Sequence, residues 1–381
     1  MRIYLDHNAT APLRPEVREA MGAVLGEPAN ASSAHREGAR ARSAVEAARA
    51  EVAALLGARP AEIVFTSGAT EANNLALRGA VAARPGTTLV VTAIEHASVL
   101  ETAERLAGTG VRLRVVPVDA EGRVAAAAVA AAADAPGPVL ASVGLANGEV
   151  GSVAPLAEVA ARLAGHEAWL HTDAAQAAGR LPIDVGALGV DLLTLSAHKL
   201  GGPPGVGALW VGPRATLVPQ ATGGPQERGR RAGTENVAAI VGFGVAARLA
   251  RERLAAEAAH AAALVERLWD GIRRAVPDAV RNGPAAPPRL PNTLSVGFPG
   301  CPGESLLVLL DLAGIAVSVG SACAAGAAEP SHVLLAMGRD PDAARSALRL
   351  SVGPTTTAAE VDRVVAVLPA LVAQVRGGRA A

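Results

Sequence analysis

The spacing of apolar residues alternates between two patterns from about residue 15 to residue 260. In "GARARSAVEAARAEVAALLG", Val45, Ala48, Val52 and Leu55 recur every three or four residues, as on the buried face of a helix. Short apolar runs separate such stretches and are typical of buried strands. These runs are "EIVFTS", "TLVVTAIE", "LRVVPVD", "PVLASVGLAN", "AWLHTDA", "DLLTLSA" and "VGALWVG". Strands that alternate with helices predict an α/β fold with a mainly parallel sheet covered on both faces.

The last third of the chain has a different organisation. A long helical stretch from about Val237 to Val276 leads into "PDAVRNGPAAPPRLPN", whose prolines predict a connection between domains. Beyond it, "NTLSVGF", "IAVSVG" and "ALRLSVG" favour strands, with a helix near residues 304–312 and another at the end. We therefore predict a large domain over residues 15–260 and a smaller α+β domain formed by residues 1–14 and 261–381.

Composition narrows the class of protein. The 381 residues are half apolar and carry a formal net charge of zero, which predicts a soluble protein without general attraction to nucleic acid or anionic membranes. The start, "MRIYLDHNATAP", has no apolar signal segment, and the Ala-rich run from Val124 is shorter than the ~20 residues of a membrane span. We expect a cytoplasmic protein. Two cysteines and eight unclustered histidines predict no metal site.

Lys199, in "TLSAHKLGG", is the only lysine among 35 basic residues. Arginine can replace lysine as a solvated charge, but only lysine readily loses its proton and condenses with a carbonyl group. A chain biased toward arginine would therefore keep a lysine that acts as a nucleophile. The count alone leaves a second explanation open, because a single lysine can also arise by chance in an Arg-rich protein.

The segment "FTSGATEANN" passes from a predicted strand through Gly68 into a helix that begins near Thr70. The free N–H groups of such a helix start can bind a phosphate. Ser67 or Thr70 could instead cap the helix in the ordinary way. The segment has neither of the familiar nucleotide-binding spacings, so its sequence leaves both explanations open.

Two neighbouring predicted strands end in polar residues. "WLHTDAAQ" places Asp173 and Gln176 after one, and "TLSAHK" places Ser196, His198 and Lys199 after the next. A carboxylate in an apolar sheet needs a partner, which could be a helix end, a basic side chain or a bound cation. Pyridoxal phosphate offers an aldehyde to the lysine, a ring nitrogen to the aspartate and a phosphate to the helix start. These motifs together predict pyridoxal 5'-phosphate as cofactor.

The chain resembles the pyridoxal-phosphate-dependent cysteine desulfurases of the NifS/IscS type over nearly its whole length. That family has the aspartate-aminotransferase-like fold (fold type I), so the resemblance implies a large domain with a mainly parallel seven-stranded sheet and a smaller α+β domain. The motifs that carry it are "YLDHNAT", "FTSGATEANN", "IEH", "ANGEVG", "HTDAAQ", "DLLTLSAHK", "GVGALWV", "RRAGTEN", "GSACAAG", "EPSHVLLAMG" and "LRLSVG".

The resemblance also implies contacts with the cofactor ring. Carried over by position, Lys199 binds the aldehyde, Asp173 contacts the pyridine nitrogen and Gln176 contacts the ring oxygen. His96 stacks on the ring and transfers protons, which an imidazole can do near neutral pH. Without the resemblance, a lone histidine such as His96 is more typical of a structural role.

Phosphate and substrate contacts follow in the same way. The resemblance implies that Ala69, Thr70, Ser196 and His198 bind the phosphate, together with Thr234 from the second subunit of a homodimer. It implies that the substrate carboxylate binds Asn147 and Arg349. A guanidinium suits a carboxylate because it donates two parallel hydrogen bonds, but the resemblance, not spacing, identifies Arg349.

Cys323 bears on the type of reaction. It lies in "VSVGSACAAGAAEPSH", and its composition favours a loop over about residues 320–333, although cysteine is usually a buried apolar residue. The resemblance implies that Cys323 takes the sulfur of L-cysteine as a persulfide, with release of L-alanine, and delivers it to a protein acceptor. Iron–sulfur cluster assembly, tRNA thiolation, synthesis of sulfur-containing cofactors and sulfur modification of DNA could all follow. Cys301 has no counterpart and is predicted to be structural.

The sequence is also compatible with other reactions, and it departs from the family pattern at four positions. An aminotransferase or a selenocysteine lyase of the same fold would not need Cys323, and a catalytically silent assembly partner would not need Lys199. The chain also departs from the usual pattern at Ala69, Gly148 and Pro225, which puts local backbone geometry in doubt. The chain departs from the family pattern at Ala31 as well.

Overall fold

A computed structural model of the chain describes residues 2–28, 30–319 and 329–377. The strands in these ranges are β1 (Ile3–Tyr4), β2 (Ile63–Thr66), β3 (Thr88–Thr92), β4 (Arg112–Val116), β5 (Val139–Ser142), β6 (Ala168–Asp173), β7 (Leu192–Ser196), β8 (Gly207–Val211), β9 (Val280–Asn282), β10 (Thr293–Gly297), β11 (Ile315–Ala316) and β12 (Ala347–Ser351). The α-helices are α1 (Pro15–Leu25), α2 (Arg36–Leu55), α3 (Ala69–Ala83), α4 (Ala97–Ala107), α5 (Ala126–Ala133), α6 (Leu156–Leu163), α7 (Val185–Leu188), α8 (Val237–Ala275), α9 (Gly303–Leu312), α10 (His332–Ala336), α11 (Pro341–Arg345) and α12 (Ala358–Gly377).

The central sheet has seven strands in the order β2-β8-β7-β6-β5-β3-β4. Neighbouring strands are parallel except β8, which runs antiparallel to both β2 and β7. Each of the seven apolar runs forms one of these strands, which confirms the predicted sheet. Because β5, β6 and β7 are parallel, their carboxyl ends lie at one edge, where ligands bind in such sheets.

Alternate residues of the strands pack into two separate apolar clusters, as the two-residue period of a strand requires. Val64 packs in a cluster with residues of α3 and α4. Its neighbours Ile63 and Phe65 pack in another with residues of α2, α5, α6 and α8. Both faces of the sheet are therefore covered by helices, which explains why its strands read as continuous apolar runs.

A third cluster lies around the antiparallel strands β9, β10 and β12 and the parallel pair β1 and β11. Strand β9 lies inside the Pro-rich segment that was predicted to be only a connection. It pairs with Ser295–Gly297 of β10, and three residues are too short a run to stand out among prolines. Helix α8 joins the clusters, with residues up to Ala250 in the first and residues from Ala261 in the third.

The described helices include none that is both long and apolar enough to cross a membrane. The Ala-rich run from Val124 forms α5, which is only eight residues long. Within the same described part of the chain, no group of three or more His, Cys, Asp or Glu side chains is placed to hold a metal ion.

A buried ion pair fixes the segment that leads to "RRAGTEN". The guanidinium of Arg49 on α2 donates to both carboxylate oxygens of Glu227, at 2.7 and 2.8 Å, and the N–H of Phe65 donates to Glu227 at 2.8 Å. Glu227 and Arg228 have φ of 47° and 57°, a left-handed conformation that is unfavourable for residues with side chains. The ion pair and the strand contact together hold this strained turn against the sheet.

Replacing one partner of this pair should destabilise the protein strongly. We expect Arg49→Met to lower the free energy of unfolding by about 3–5 kcal/mol, because Glu227 would keep a buried charge without its partner. Chemical unfolding measures the change. The control is Arg267→Met, which breaks the exposed pair with Asp362 and should have a much smaller effect. The double variant Arg49→Met/Glu227→Met should recover part of the loss, and a double variant less stable than Arg49→Met would contradict this interpretation.

Candidate active site

Lys199 follows β7 in a single helical turn, Ala197–Lys199. Its Nζ donates to the carbonyl oxygens of Asn8 at 2.6 Å and Ala9 at 2.7 Å. Burial, and then the positive charges of Arg180 and Arg349, lower the pKa of Lys199 to about 8. The only amine side chain of the protein is therefore partly uncharged near neutral pH, as a nucleophilic lysine must be.

Asp173 is the last residue of β6, next to β7 in the sheet. Its Oδ2 accepts a hydrogen bond from Nδ2 of Asn73 at 2.7 Å and its Oδ1 accepts one from the N–H of Ala175 at 2.9 Å. Both donors are neutral, and Asp173 forms no salt bridge with any residue that the structure describes. The alternative of a salt-bridged aspartate is thus not observed in the described part of the chain.

Gln176 lies beside Lys199, and the two side chains donate to the same acceptor, the carbonyl oxygen of Asn8. Its Nε2 donates to the oxygen of Asn8 at 3.0 Å, and its Oε1 accepts from the guanidinium of Arg180 at 2.6 Å. Gly148 packs directly against this side chain, and a Cβ at position 148 would lie 2.7 Å from Cδ of Gln176. The glycine that departs from the family pattern therefore has a steric explanation in this structure.

His96 follows β3 and caps the start of α4, where its Nδ1 accepts from the N–H of Ser98 at 3.1 Å. The ring is exposed. The hydroxyl of Ser98 lies 2.8 Å from the same Nδ1 and accepts from Nδ2 of Asn73 at 2.9 Å. Because Asn73 also donates to Asp173, hydrogen bonds connect His96 with Asp173 through two side chains.

The start of α3 is open. Its N-cap is Gly68, and no side chain caps the helix, so neither Ser67 nor Thr70 takes the capping role weighed as an alternative. A Cβ at Gly68 would have no atom within 4 Å, and both Ala69 and Thr70 are accessible to solvent. The N–H groups of this first turn remain available to an anion.

Ser196 and His198 lie on either side of Ala197 at the end of β7. Ser196 is buried, and Nδ1 of His198 is 3.2 Å from the hydroxyl of Thr10. Burial, followed by the charges of Lys199 and Arg180, lowers the pKa of His198 to about 4. The imidazole is therefore neutral at physiological pH and can bind an anion only as a hydrogen-bond donor.

The two residues expected to bind the substrate carboxylate have different surroundings. Arg349, in β12, donates to Oδ1 of Asp6 at 2.9 Å, while its buried Nε has no hydrogen-bond partner. The side chain of Asn147 is already occupied, since its Oδ1 accepts from the N–H groups of Glu149 and Val150 in its own loop and its Nδ2 donates to the oxygen of Ile94, which follows β3. Of the two side chains, Arg349 is the one with a donor that lacks a partner among the described residues.

Thr234, Cys323 and Cys301 complete the residues considered in the sequence analysis. Thr234 is exposed in the single chain, in a segment tied to the start of α3 by the ion pair of Arg231 with Glu71 at 2.8 Å. Cys323 lies outside the described residues. Cys301 is buried in the third apolar cluster.

The sequence did not single out Asn8, Asn73 or Arg180. The side chain of Asn8 donates to the oxygen of Gly148 and to Oγ1 of Thr293, both at 2.8 Å, while its own carbonyl oxygen accepts from Lys199. Asn73 follows the open helix start, and Arg180 follows Gln176 by four residues. The motifs "LDHNAT" and "TEANN" contained the first two, but only the fold shows their contacts.

The chain is similar to known proteins over nearly its whole length. The profile of the aminotransferase class-V family matches residues 3–364. An IscS-like cysteine desulfurase of Mycobacterium tuberculosis is 44% identical over 380 residues, which cover 98% of this chain and 97% of that protein.

Solved structures extend the likeness to three dimensions. A NifS-like protein superposes with a TM-score of 0.92 at 36% identity, covering 98% of this chain and 100% of that one. The structure of SspA in complex with cysteine superposes with a TM-score of 0.81 at 35% identity, covering 94% and 100%. The expected fold is thereby confirmed. The chain belongs to the class-V aminotransferase family, and within it to the cysteine desulfurases of the NifS/IscS type.

Proposed function

We propose that this enzyme removes sulfur from L-cysteine with pyridoxal 5'-phosphate, releases L-alanine and keeps the sulfur as a persulfide on Cys323. The observation that carries the proposal is the state of Lys199, the only lysine. It is held at a strand end by two carbonyl oxygens, with a lowered pKa, beside a carboxylate that has no cationic partner among the described residues.

The side chains and the helix start fit the charges of this cofactor. The uncapped start of α3 suits a phosphate, and Asp173, bonded only to neutral donors, suits a protonated ring nitrogen. When bound, pyridoxal phosphate withdraws electrons from the substrate α-carbon. The residues that would hold it are Lys199 at the aldehyde, Asp173, Gln176 and His96 at the ring, and Ala69, Thr70, Ser196 and His198 at the phosphate.

Different residues would transfer protons and bind the charged substrate. Lys199, with a pKa of about 8, can accept a proton from the substrate α-carbon and return it. Nδ1 of His96 is engaged by Ser98, so Nε2 is the atom through which His96 would move a proton. The unpartnered Nε of Arg349 supports a role in binding the substrate carboxylate, for which Asn147 is the second expected contact.

We also propose the organisation that serves this reaction. Residues 15–260 would form the cofactor-binding domain, and residues 1–14 with 261–381 the smaller one, a division supported by the separate third apolar cluster. Thr234, exposed in one chain, would reach the phosphate of the second subunit in a homodimer. The persulfide would pass to an acceptor protein of iron–sulfur cluster assembly or of thiolation.

Replacing Lys199 by Arg should abolish covalent attachment of the cofactor. Arginine keeps the charge but stays protonated and cannot condense with the aldehyde, so we expect no borohydride-reducible adduct and a turnover at least about a hundredfold lower. Absorbance and mass spectrometry measure the adduct. The control Arg267→Lys adds a lysine at an exposed ion pair and should gain no second adduct. An adduct in Lys199→Arg would contradict the assignment.

Replacing Cys323 by Ser tests the reaction type. We expect release of alanine and sulfide from L-cysteine to be lost while the cofactor stays bound, because the hydroxyl cannot accept sulfur as a persulfide. Cys301→Ser is the matched control and should keep turnover in protein that folds normally. Full turnover in Cys323→Ser would favour a lyase that releases sulfur without this thiol.

Replacing Arg349 by Gln should weaken substrate binding more than cofactor binding. Loss of charge-assisted hydrogen bonds to a carboxylate costs about 1.5–3 kcal/mol, so we expect KM for L-cysteine to rise about ten- to a hundredfold. Arg345→Gln, at an exposed ion pair close in sequence, should leave KM unchanged. An unaltered KM in Arg349→Gln would show that the carboxylate binds elsewhere.

A further inference from the structure

Arg180 is a cation without an anionic partner in the described part of the chain. Its guanidinium donates to the carbonyl oxygen of Gln176 at 2.8 Å, to Oε1 of Gln176 at 2.6 Å and to the carbonyl oxygen of His7 at 3.3 Å. All three acceptors are neutral. Burial, and then the charge of Arg349, lower the pKa of Arg180 to about 10, so it remains positively charged at neutral pH.

The surroundings of Arg180 are largely apolar. Together with Lys199 and His7 it lines a cavity of about 410 Å³ whose other walls include Leu200 and Ala250. The remaining charged groups of the cavity are two ion pairs, Arg14 with Glu257 and Arg253 with Glu16. Arg180 and Lys199 are therefore the charges in this cavity that lack a described carboxylate partner.

Arg180 fixes the orientation of the Gln176 amide. Because Oε1 accepts from the guanidinium, the amide must direct Nε2 the other way, where it donates to the carbonyl oxygen of Asn8. Gly148 packs against the same side chain. Without Arg180, the amide could rotate and exchange its donor for its acceptor, since the two ends have nearly the same shape.

Arg180 also acts on Lys199 through its charge. The charged groups that act on the amine are Arg180 and Arg349, which disfavour its protonated form, and Asp173 and Asp6, which favour it. Asp6 is paired with Arg349, whereas no described carboxylate pairs with Arg180. The repulsion between Arg180 and a protonated Lys199 is therefore not offset by a nearby partner of Arg180.

We propose that Arg180 is a positioning residue that orients the Gln176 amide toward the cofactor ring oxygen and raises the uncharged fraction of Lys199. The inference rests on the proposed function, because that function gives Gln176 and Lys199 their contacts with the cofactor. Its two parts can be measured separately, one in the cofactor-free protein and one by cofactor binding.

The first experiment titrates Lys199 in the cofactor-free protein. Since the chain has one lysine, an amine-selective reagent read out by peptide mass spectrometry follows this site directly. The rate in the unmodified protein should be half-maximal near pH 8, rising about tenfold with each unit of pH below that. In Arg180→Gln the midpoint should lie at a higher pH, and labelling at pH 7 should fall about tenfold if the midpoint rises from pH 8 to about pH 9.

Two variants serve as controls for this titration. Arg253→Gln removes a cation that lines the same cavity but is paired with Glu16, and it should leave the midpoint unchanged. Arg180→Lys restores the charge and should bring the midpoint back toward that of the unmodified protein, with the two lysines resolved as separate peptides. An Arg180→Gln protein that folds, by circular dichroism, and titrates as the unmodified protein does would overturn the electrostatic part.

The second experiment measures the affinity for pyridoxal 5'-phosphate by absorbance titration. If Arg180 acts through Gln176, Arg180→Gln should weaken binding much less in a Gln176→Leu background than in the unmodified chain. Equal effects in the two backgrounds would overturn the orienting part. Failure to release sulfur from L-cysteine would count against the proposed function alone, because neither experiment measures turnover.

Discussion

The carbonyl oxygen of Asn8 links the two side chains at the centre of the candidate site, Lys199 and Gln176. It accepts from Nζ of Lys199 and from Nε2 of Gln176, while the rest of the residue bonds to Thr293, Asn292 and the Ser351 hydroxyl. Lys199 and Gln176 follow strands of the seven-stranded sheet. Thr293 and Ser351 lie in strands of the three-stranded sheet, and Asn292 directly precedes one of them. An extended N-terminal segment thus ties the lysine-bearing sheet edge to the neighbouring sheet, and the geometry of the lysine depends on both.

The distribution of charge follows from this arrangement. Arg180 and Arg349 lie close enough to Lys199 to lower its pKa, and Arg349 also lowers the pKa of Arg180. Of the nearby carboxylates, Asp6 is paired with Arg349. Such an excess of positive charge is unfavourable in a protein interior unless an anion offsets it. A phosphate-bearing cofactor and a substrate with a carboxylate are ligands that this arrangement would stabilise.

Much of the sheet could be predicted from the sequence, because strands buried on both faces have continuous apolar runs. The positions of Lys199 and Asp173 followed from the rule that polar residues after parallel strands meet at one edge. The two-residue strand β1 and the three-residue strand β9 are too short to produce a period. The N-cap of α3 could not be predicted with the same ease, since Ser67 and Thr70 are both suitable capping residues, whereas the N-cap in the structure is Gly68.

Contacts between distant parts of the chain could not be predicted from sequence patterns. Arg180 meets His7, and Asn8 meets Lys199, across more than 170 residues, and one arginine among so many gives no signal of its own. Arg349 and Asn147 were identified through the family resemblance. They differ in the structure, because Arg349 has an unpartnered Nε whereas both ends of the Asn147 amide already form hydrogen bonds to the backbone.

Helix α8 has a mechanical consequence for the enzyme. With 39 residues at 1.5 Å per residue, it is about 58 Å long, and it is packed into an apolar cluster near each end. A change in the angle between these clusters must therefore bend a continuous helix or slide it in its packing. Relative displacement of the two clusters is therefore coupled to deformation or sliding of α8.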